Sequence, residues 1–401
     1  MDKKFLKGII TGVVAVFLLQ GIFLVTANVL AGGIGVYSGA NNSVLGSHAG
    51  KTLSKMNALR SYIDEYYMEE VGEEELADGI YKGMVESLND PYSCYYTEEE
   101  YQSLMEDSSG TYCGIGASVT QDFDTGVISV VTPFKGGAAA DAGIETGDIV
   151  SKVDGEDVTG MDLNDVVAMM KGKEGTTVEV EFYLAKKKEY KTFTLERKEV
   201  EVPTVDYEMK EDNIGYIAVS AFDEPTDEQF ISAVKDLEEQ GMKSLIVDLR
   251  NNGGGMLTSV VNMLDYLLPK GSEIVSTKDK YGKGETYKAT SEHAFDLPMV
   301  VLINGNTASA SEVFSGAIQD YELGTLVGTT SFGKGIVQSV IPLNDGTAIK
   351  LTTSYYYTPK GRNIHGTGIE PDVEVTLDAK DSTDTQYKQA VKILEREMKR
   401  E

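Results

Sequence analysis

Apolar residues change their spacing repeatedly along this chain, and each change predicts a different kind of element. Met56, Leu59, Tyr62, Ile63 and Tyr66 recur three and four residues apart, and Leu76, Ile80 and Met84 resume that spacing after a break at Gly72. Two short amphipathic helices follow. Asn89-Asp90-Pro91 stops the second, because proline lacks an amide donor and biases its predecessor away from helix. From Gly110 to about Arg197 the pattern turns to short β-like runs at 127–131, 149–153, 178–183 and 190–195, with glycine-bearing turns and two helical stretches between them. This predicts a small, separate β-rich module. From Ile214 onward strands alternate with helices: strands at 215–219, 244–249 and 299–303, helices at 227–240, 257–268 and 311–320. Such alternation indicates an α/β layer with parallel strands. A strand-like run at 346–357 and a charged closing helix at 386–398 complete the chain, with no internal repeat.

The amino terminus carries a different signal. Lys3, Lys4 and Lys7 precede a stretch from Gly8 to Leu30 without a charge, and no charge returns until Lys51. A helix needs about 20 apolar residues to cross a bilayer, whereas a cleaved signal peptide carries roughly 7–15. The stretch therefore reads as an uncleaved anchor, with cleavage after Ala31 as the alternative. The lysines stay in the cytoplasm by the positive-inside rule, which puts everything after Val36 outside. Gly32 to Gly50 reads as a flexible linker.

Composition narrows the partners. The 401 residues carry 64 acidic and 36 basic side chains, a net charge of -28 that repels polyanions and argues against nucleic acid as a partner. Cys94 and Cys113 allow at most one disulfide and lie at no zinc or redox spacing, so both are expected to pack as small hydrophobes. Neither a metal nor an organic cofactor is called for.

Candidate chemistry is restricted by the presence of only three histidines, His48, His293 and His365. The first sits in the linker, and the other two lie in polar segments that read as exposed loops, which disfavours a serine-histidine-acid triad. No H-E-x-x-H, G-x-S-x-G or phosphate-binding loop is present. Three other segments stand out. Asn304 to Glu312 falls between a strand and a helix, so its serines sit over free amides that favour an oxyanion; a capping box of Ser309 with Glu312 explains the same residues without chemistry. Asp248 to Gly255 lies at the carboxyl end of a strand, where open α/β sheets place ligands, and reads either as a turn or as an oxyanion-donor loop. Ser331 to Gln338 holds Lys334 between two glycines. A lysine near its ordinary value of about 10.4 cannot accept a proton at neutral pH, but burial lowers that value and makes it a usable base. A solvated turn lysine is the alternative. Gln338 is placed to hold its amine.

In this order and spacing the three segments closely resemble the C-terminal processing peptidases, or tail-specific proteases. That family's D-L-R-N-N-x-G-G reads as Asp248 to Gly255, its S-A-S-A-S-E as Thr307 to Glu312, and its G-K-G-x-x-Q as Gly333 to Gln338. Further similar strings are Asn89 to Tyr92, Gly114-Ile115-Gly116, Gly147-Asp148-Ile149, and Thr358 to Ile364 running on to Gly368–Asp372, so the likeness covers roughly residues 55 to 376. The resemblance implies Ser309 as nucleophile, Lys334 as general base and Gln338 as its orienting partner. It also implies an oxyanion hole from the amides of Ala310 and Gly254, with Ser311 structural. The β-rich module similarly looks like a PDZ domain, whose Gly114, Ile115 and Gly116 loop would offer amides to a substrate carboxylate while a peptide adds along a strand edge. Gly253 stands where the family often has proline, Thr307 where it often has serine, and Lys171 where it often has arginine. Lysine lacks the planar fork of arginine, so coupling between PDZ and active site is expected to be weaker or differently wired.

The architecture expected is an α/β protease core of ClpP/crotonase-like layers with an inserted PDZ domain, amino-terminal helices and one transmembrane helix. Its parts are a cytoplasmic tip and anchor at 1–37, a linker at 38–54, a helical region at 55–109, the PDZ domain at 110–198, the protease core at 199–378 and a closing helix at 379–401. The expected activity is a single-pass, outward-facing serine endopeptidase of the cell membrane. It takes protein or peptide substrates with a free C-terminus and dimerises through its terminal helices. A non-catalytic PDZ receptor on the same fold and a general scavenging protease are the rival readings.

Overall fold

The computed structural model describes residues 48–122, 125–377 and 383–399. The anchor expected at 8–30 lies outside them, and among the described residues no helix is long and apolar enough to cross a membrane. The chain divides into two compact units, Met1–Gly79 and Ile80–Glu401. In the first, the expected helix spans Ala49–Tyr66 and buries none of its residues, leaving Leu53, Leu59, Tyr62 and Tyr66 exposed. The next helix, Glu73–Glu86, runs across the division and opens on Glu73, Glu74 and Glu75, whose charges suit the positive end of the helix dipole.

Within the second unit lies a β-rich module. Its sheet runs in the spatial order Ala117–Gln121, Ile128–Pro133, Ile149–Val153, Thr177–Leu184, Glu189–Glu196. Strand Thr177–Leu184 alternates strictly, with Val178, Val180, Phe182 and Leu184 facing a core shared with Val166 and Met170 of helix Leu163–Met170. The strands that enter and leave the module, Thr111–Gly114 and Lys198–Glu201, pair antiparallel with each other and tie it to the rest of the unit.

The sheet of the α/β layer is ordered Val205–Met209, Ile214–Val219, Ser244–Asp248, Met299–Ile303, Thr325–Gly328, Val373–Glu374, antiparallel at the first pairing and parallel thereafter. Its central strands read as unbroken apolar runs because both faces are covered. Leu245, Val247, Val301 and Ile303 point into one core with Phe230, Val260 and Phe314 from three helices. Ile246, Val300 and Leu302 point into the other, against Ala390 and Leu394 of helix Thr385–Glu397.

Several elements went unpredicted, strands Ala117–Gln121, Val205–Met209 and Thr325–Gly328 and the following two among them. Helix Glu98–Ser109 has a complete capping box of Thr97 and Glu100, which was legible in the sequence, and ends on Gly110 in a left-handed conformation. Strand Cys94–Tyr96, only three residues long, pairs antiparallel with Ala348–Tyr357 in a second sheet. Both cysteines are free and half-buried.

Candidate active site

Three adjacent parallel strands deliver the three candidate segments. Asp248 pairs with Leu302, and Ile303 with Gly328, so strands 244–248, 299–303 and 325–328 end level and their loops emerge side by side. Ligands bind at that carboxyl edge in open α/β sheets. Residues some 50 positions apart in sequence thus meet through strand register alone.

The first loop is held to the second by Asn252, which is 1% exposed. Its carbonyl accepts from the Ala308 amide (3.0 Å) and the Ser311 hydroxyl (3.1 Å), and its side-chain amide donates to Val219 O (2.8 Å). Thr307, fully buried, donates its hydroxyl to Leu249 O at 2.9 Å. Ser311 thereby ties the second loop to the first.

Ser309 precedes helix Ala310–Asp320 with φ 56° and ψ -117°, a left-handed conformation that costs a non-glycine residue of order 1–3 kcal/mol and persists only where the surroundings impose it. Those surroundings are specific. Tyr356, 2% exposed, donates its hydroxyl to Ser309 O at 3.1 Å. The Ser309 amide donates to the Glu312 carboxylate at 2.9 Å, and the Glu312 and Val313 amides both close on Ser309 O, at 2.8 and 3.0 Å. One half of the capping box is thus made, the Glu312 carboxylate on the Ser309 amide, while the Glu312 amide turns to the Ser309 carbonyl.

Glu312 was singled out in the sequence only as a cap, and its larger role was missed. Its side chain is fully buried and also accepts from Ser331 Oγ (2.5 Å), the Gly333 amide (2.7 Å) and the Lys334 amide (2.8 Å). One carboxylate therefore locks the Ser309 loop to the Lys334 loop. The sequence signal was Glu312 itself, an acid in the first turn of a helix that contains no basic residue.

Ser309, Ala310 and Gln338 line one cavity of about 290 Å³ with Phe222, Met256 and Tyr356. Among the described residues, the Gln338 side-chain nitrogen buried there has no hydrogen-bond partner. Lys334 is not in that lining. Its ammonium lies over the Tyr92 ring, 4.7 Å from the centroid, and among the described residues no hydrogen bond joins it to Ser309 or Gln338. Burial pushes this lysine below the ordinary value, helped by the Lys350 charge and opposed by Asp90 and Glu312.

Of the two expected oxyanion donors, Ala310 carries an amide with no partner among the described residues. Gly254 differs: its amide donates to Asn252 Oδ1 at 2.8 Å, so in this conformation it is spent. Its place is nonetheless fixed, since a Cβ there would sit 2.7 Å from Ser309 Cβ and 2.9 Å from the Ala310 nitrogen. In the module, Gly114 pairs with Lys198, Ile115 is buried, and Gly116 takes a φ of 75° while packing on Gly137. Neither remaining histidine lines the Ser309 cavity. His293 is half-buried rather than exposed, stacked on Tyr266 at 3.8 Å and bonded to Tyr266 O, while His365 is exposed.

Comparison with known proteins agrees with this layout. The model of peptidase family S41 matches residues 213–375, that of the PDZ domain 129–183, and that of the activating protease CtpB N-terminal domain 35–100. The carboxy-terminal processing protease CtpA of Bacillus subtilis is 37% identical over 360 residues, 89% of this chain and 76% of its own length. The carboxy-terminal processing protease CtpB of the same organism is 32% identical over 369 residues, 88% and 76%. A crystal structure described as an S41 protease from Bacteroides fragilis, 16% identical, superposes with a TM-score of 0.50 over 79% of this chain and 90% of that one, a likeness of fold alone. The fold and the matches together define a serine peptidase carrying a PDZ domain. Within that class the chain belongs to the carboxy-terminal processing proteases of peptidase family S41.

Proposed function

We propose that this protease captures the free C-terminal tail of an unstructured polypeptide in its PDZ module and cuts it with Ser309, activated by Lys334. The observation that carries this reading is the forced left-handed corner at Ser309, beside the free Ala310 amide and in one cavity with Gln338. Neutral Lys334 takes the hydroxyl proton as Ser309 Oγ attacks the scissile carbonyl carbon, and the oxyanion settles on the Ala310 amide. The protonated lysine then gives its proton to the leaving amine as the C–N bond breaks, and water hydrolyses the acyl-enzyme. Two adjustments precede attack. Lys334 leaves Tyr92 for Ser309, guided by the unpartnered amide of Gln338, and Gly254 exchanges Asn252 for the oxyanion.

The charge-free stretch at 8–30 supports a single membrane anchor with the catalytic part outside the cell, or a cleaved signal in its place. The exposed apolar residues of helix Ala49–Tyr66 are consistent with pairing of two copies. Cleavage of an unfolded protein with an apolar free C-terminus by the full-length chain tests the mechanism. Ser309→Ala and Lys334→Ala are expected to be folded and inactive; a Lys334→Ala enzyme cutting at full rate rules the dyad out. Equal silence of all three proteins, the wild type included, favours a non-catalytic PDZ receptor.

A further inference from the structure

Strand Ala117–Gln121 is the last strand of the PDZ sheet, paired on one side only with Ile128–Pro133. Its open side looks across a largely apolar cavity of about 220 Å³ to Val167 and Met170 of helix Leu163–Met170. A tail adding here as an antiparallel strand would exchange both backbone hydrogen bonds of a rung with Ala117, because paired residues in such a ladder give and take one each.

That rung is already taken. The Tyr112 hydroxyl accepts the Ala117 amide at 3.0 Å and donates to the Ala117 carbonyl at 3.3 Å, so one oxygen does what one residue of an added strand does. The phenol is built into this place. Its ring meets Phe134 edge-on at 6.3 Å, lies against Gly114 where any Cβ would be 2.7 Å away, and has the Lys171 ammonium 5.5 Å from its centroid. Burial raises the phenol above its ordinary value, so it stays a neutral donor.

We propose that Tyr112 is an internal occupant of the tail-binding groove, which an arriving C-terminus must displace from Ala117. This deepens, and rests on, the reading of the groove as the tail site. Displacement selects tails that offer more than a backbone rung: an apolar last residue to fill the cavity, and a terminal carboxylate that meets the Lys171 charge and the Gly116 amide region as the phenol leaves. A short or internal segment, bringing the rung alone, gains nothing over the hydroxyl it replaces.

The test uses the full-length chain with Ser309→Ala to prevent cleavage, and a fluorescent octapeptide ending in valine as the free acid or the C-terminal amide. Tyr112→Phe keeps the ring and removes only the competing hydroxyl. Its Kd for the free acid is expected to fall about fivefold, the worth of one net hydrogen bond. Exchange of the Ala117 amide in the peptide-free protein is expected to accelerate. An unchanged or weaker affinity in Tyr112→Phe, with the free acid still preferred over the amide, overturns the occupant and leaves tail capture standing. Binding that is absent from both proteins, or that ignores the terminal carboxylate, overturns tail capture and the occupant with it.

Discussion

At the scale of single residues, the charges around Lys334 set the pH at which it becomes a base. Lys350 lowers its value, while Asp90 and Glu312 raise it, and Tyr92 offers its ring face. In the proposed mechanism the free amine is the active form, so the rate is expected to rise as pH passes upward through the Lys334 value, which burial holds below that of an ordinary lysine. Removing a neighbouring positive charge raises that value, and removing a negative one lowers it. In pH profiles of kcat/KM, Lys350→Gln is expected to move the acid limb to higher pH and Glu312→Gln to lower pH. Glu312→Gln carries a second expectation: the amide cannot accept from all of Ser309, Ser331, Gly333 and Lys334, so both loops loosen. Misplacement of about 1 Å costs on the order of 10²-fold, and the loss should fall on kcat with KM retained.

At the scale of elements, the site depends on the close approach of two loops at Gly254. Its φ of 100° and the 2.7 Å that a Cβ would have from Ala308 O and Ser309 Cβ make alanine doubly unfavourable. Gly254→Ala is expected to abolish peptide hydrolysis and to cost about 1–3 kcal/mol in denaturant unfolding. Gly253, one position earlier, has nothing within 4 Å of where a Cβ would stand, so the steric restriction belongs to Gly254 and not to its neighbour.

At the scale of the whole second unit, the closing helix is tied beneath the catalytic edge by Arg250. Its guanidinium grips Asp248 (Nε to Oδ1 2.9 Å) and reaches Asp384 (2.8 Å) and Gln386 (3.1 Å) at the start of helix Thr385–Glu397. With side chains 13% and 9% exposed, Arg250 and Asp248 are a nearly buried pair. Arg250→Met leaves Asp248 uncompensated and is expected to destabilise by about 3–5 kcal/mol in chemical denaturation, whereas replacing both partners with apolar residues recovers much of that loss.

Much of this molecule was legible from order and spacing. Period-2 runs gave four of the five PDZ strands named above, the strand–helix alternation gave three strands of the parallel layer, and the motif strings pointed to the loops that bring Ser309, Ala310 and Gln338 to one cavity, because local backbone chemistry and side-chain type are written residue by residue. What the sequence could not carry were relations between distant residues. The gathering of four donors on Glu312, the diversion of the Gly254 amide to Asn252, the parking of the Lys334 ammonium on Tyr92 and the Tyr112 hydroxyl at Ala117 all arise from strand register and packing across loops. Those contacts depend on where the chain returns in space, and only the tertiary structure decides that.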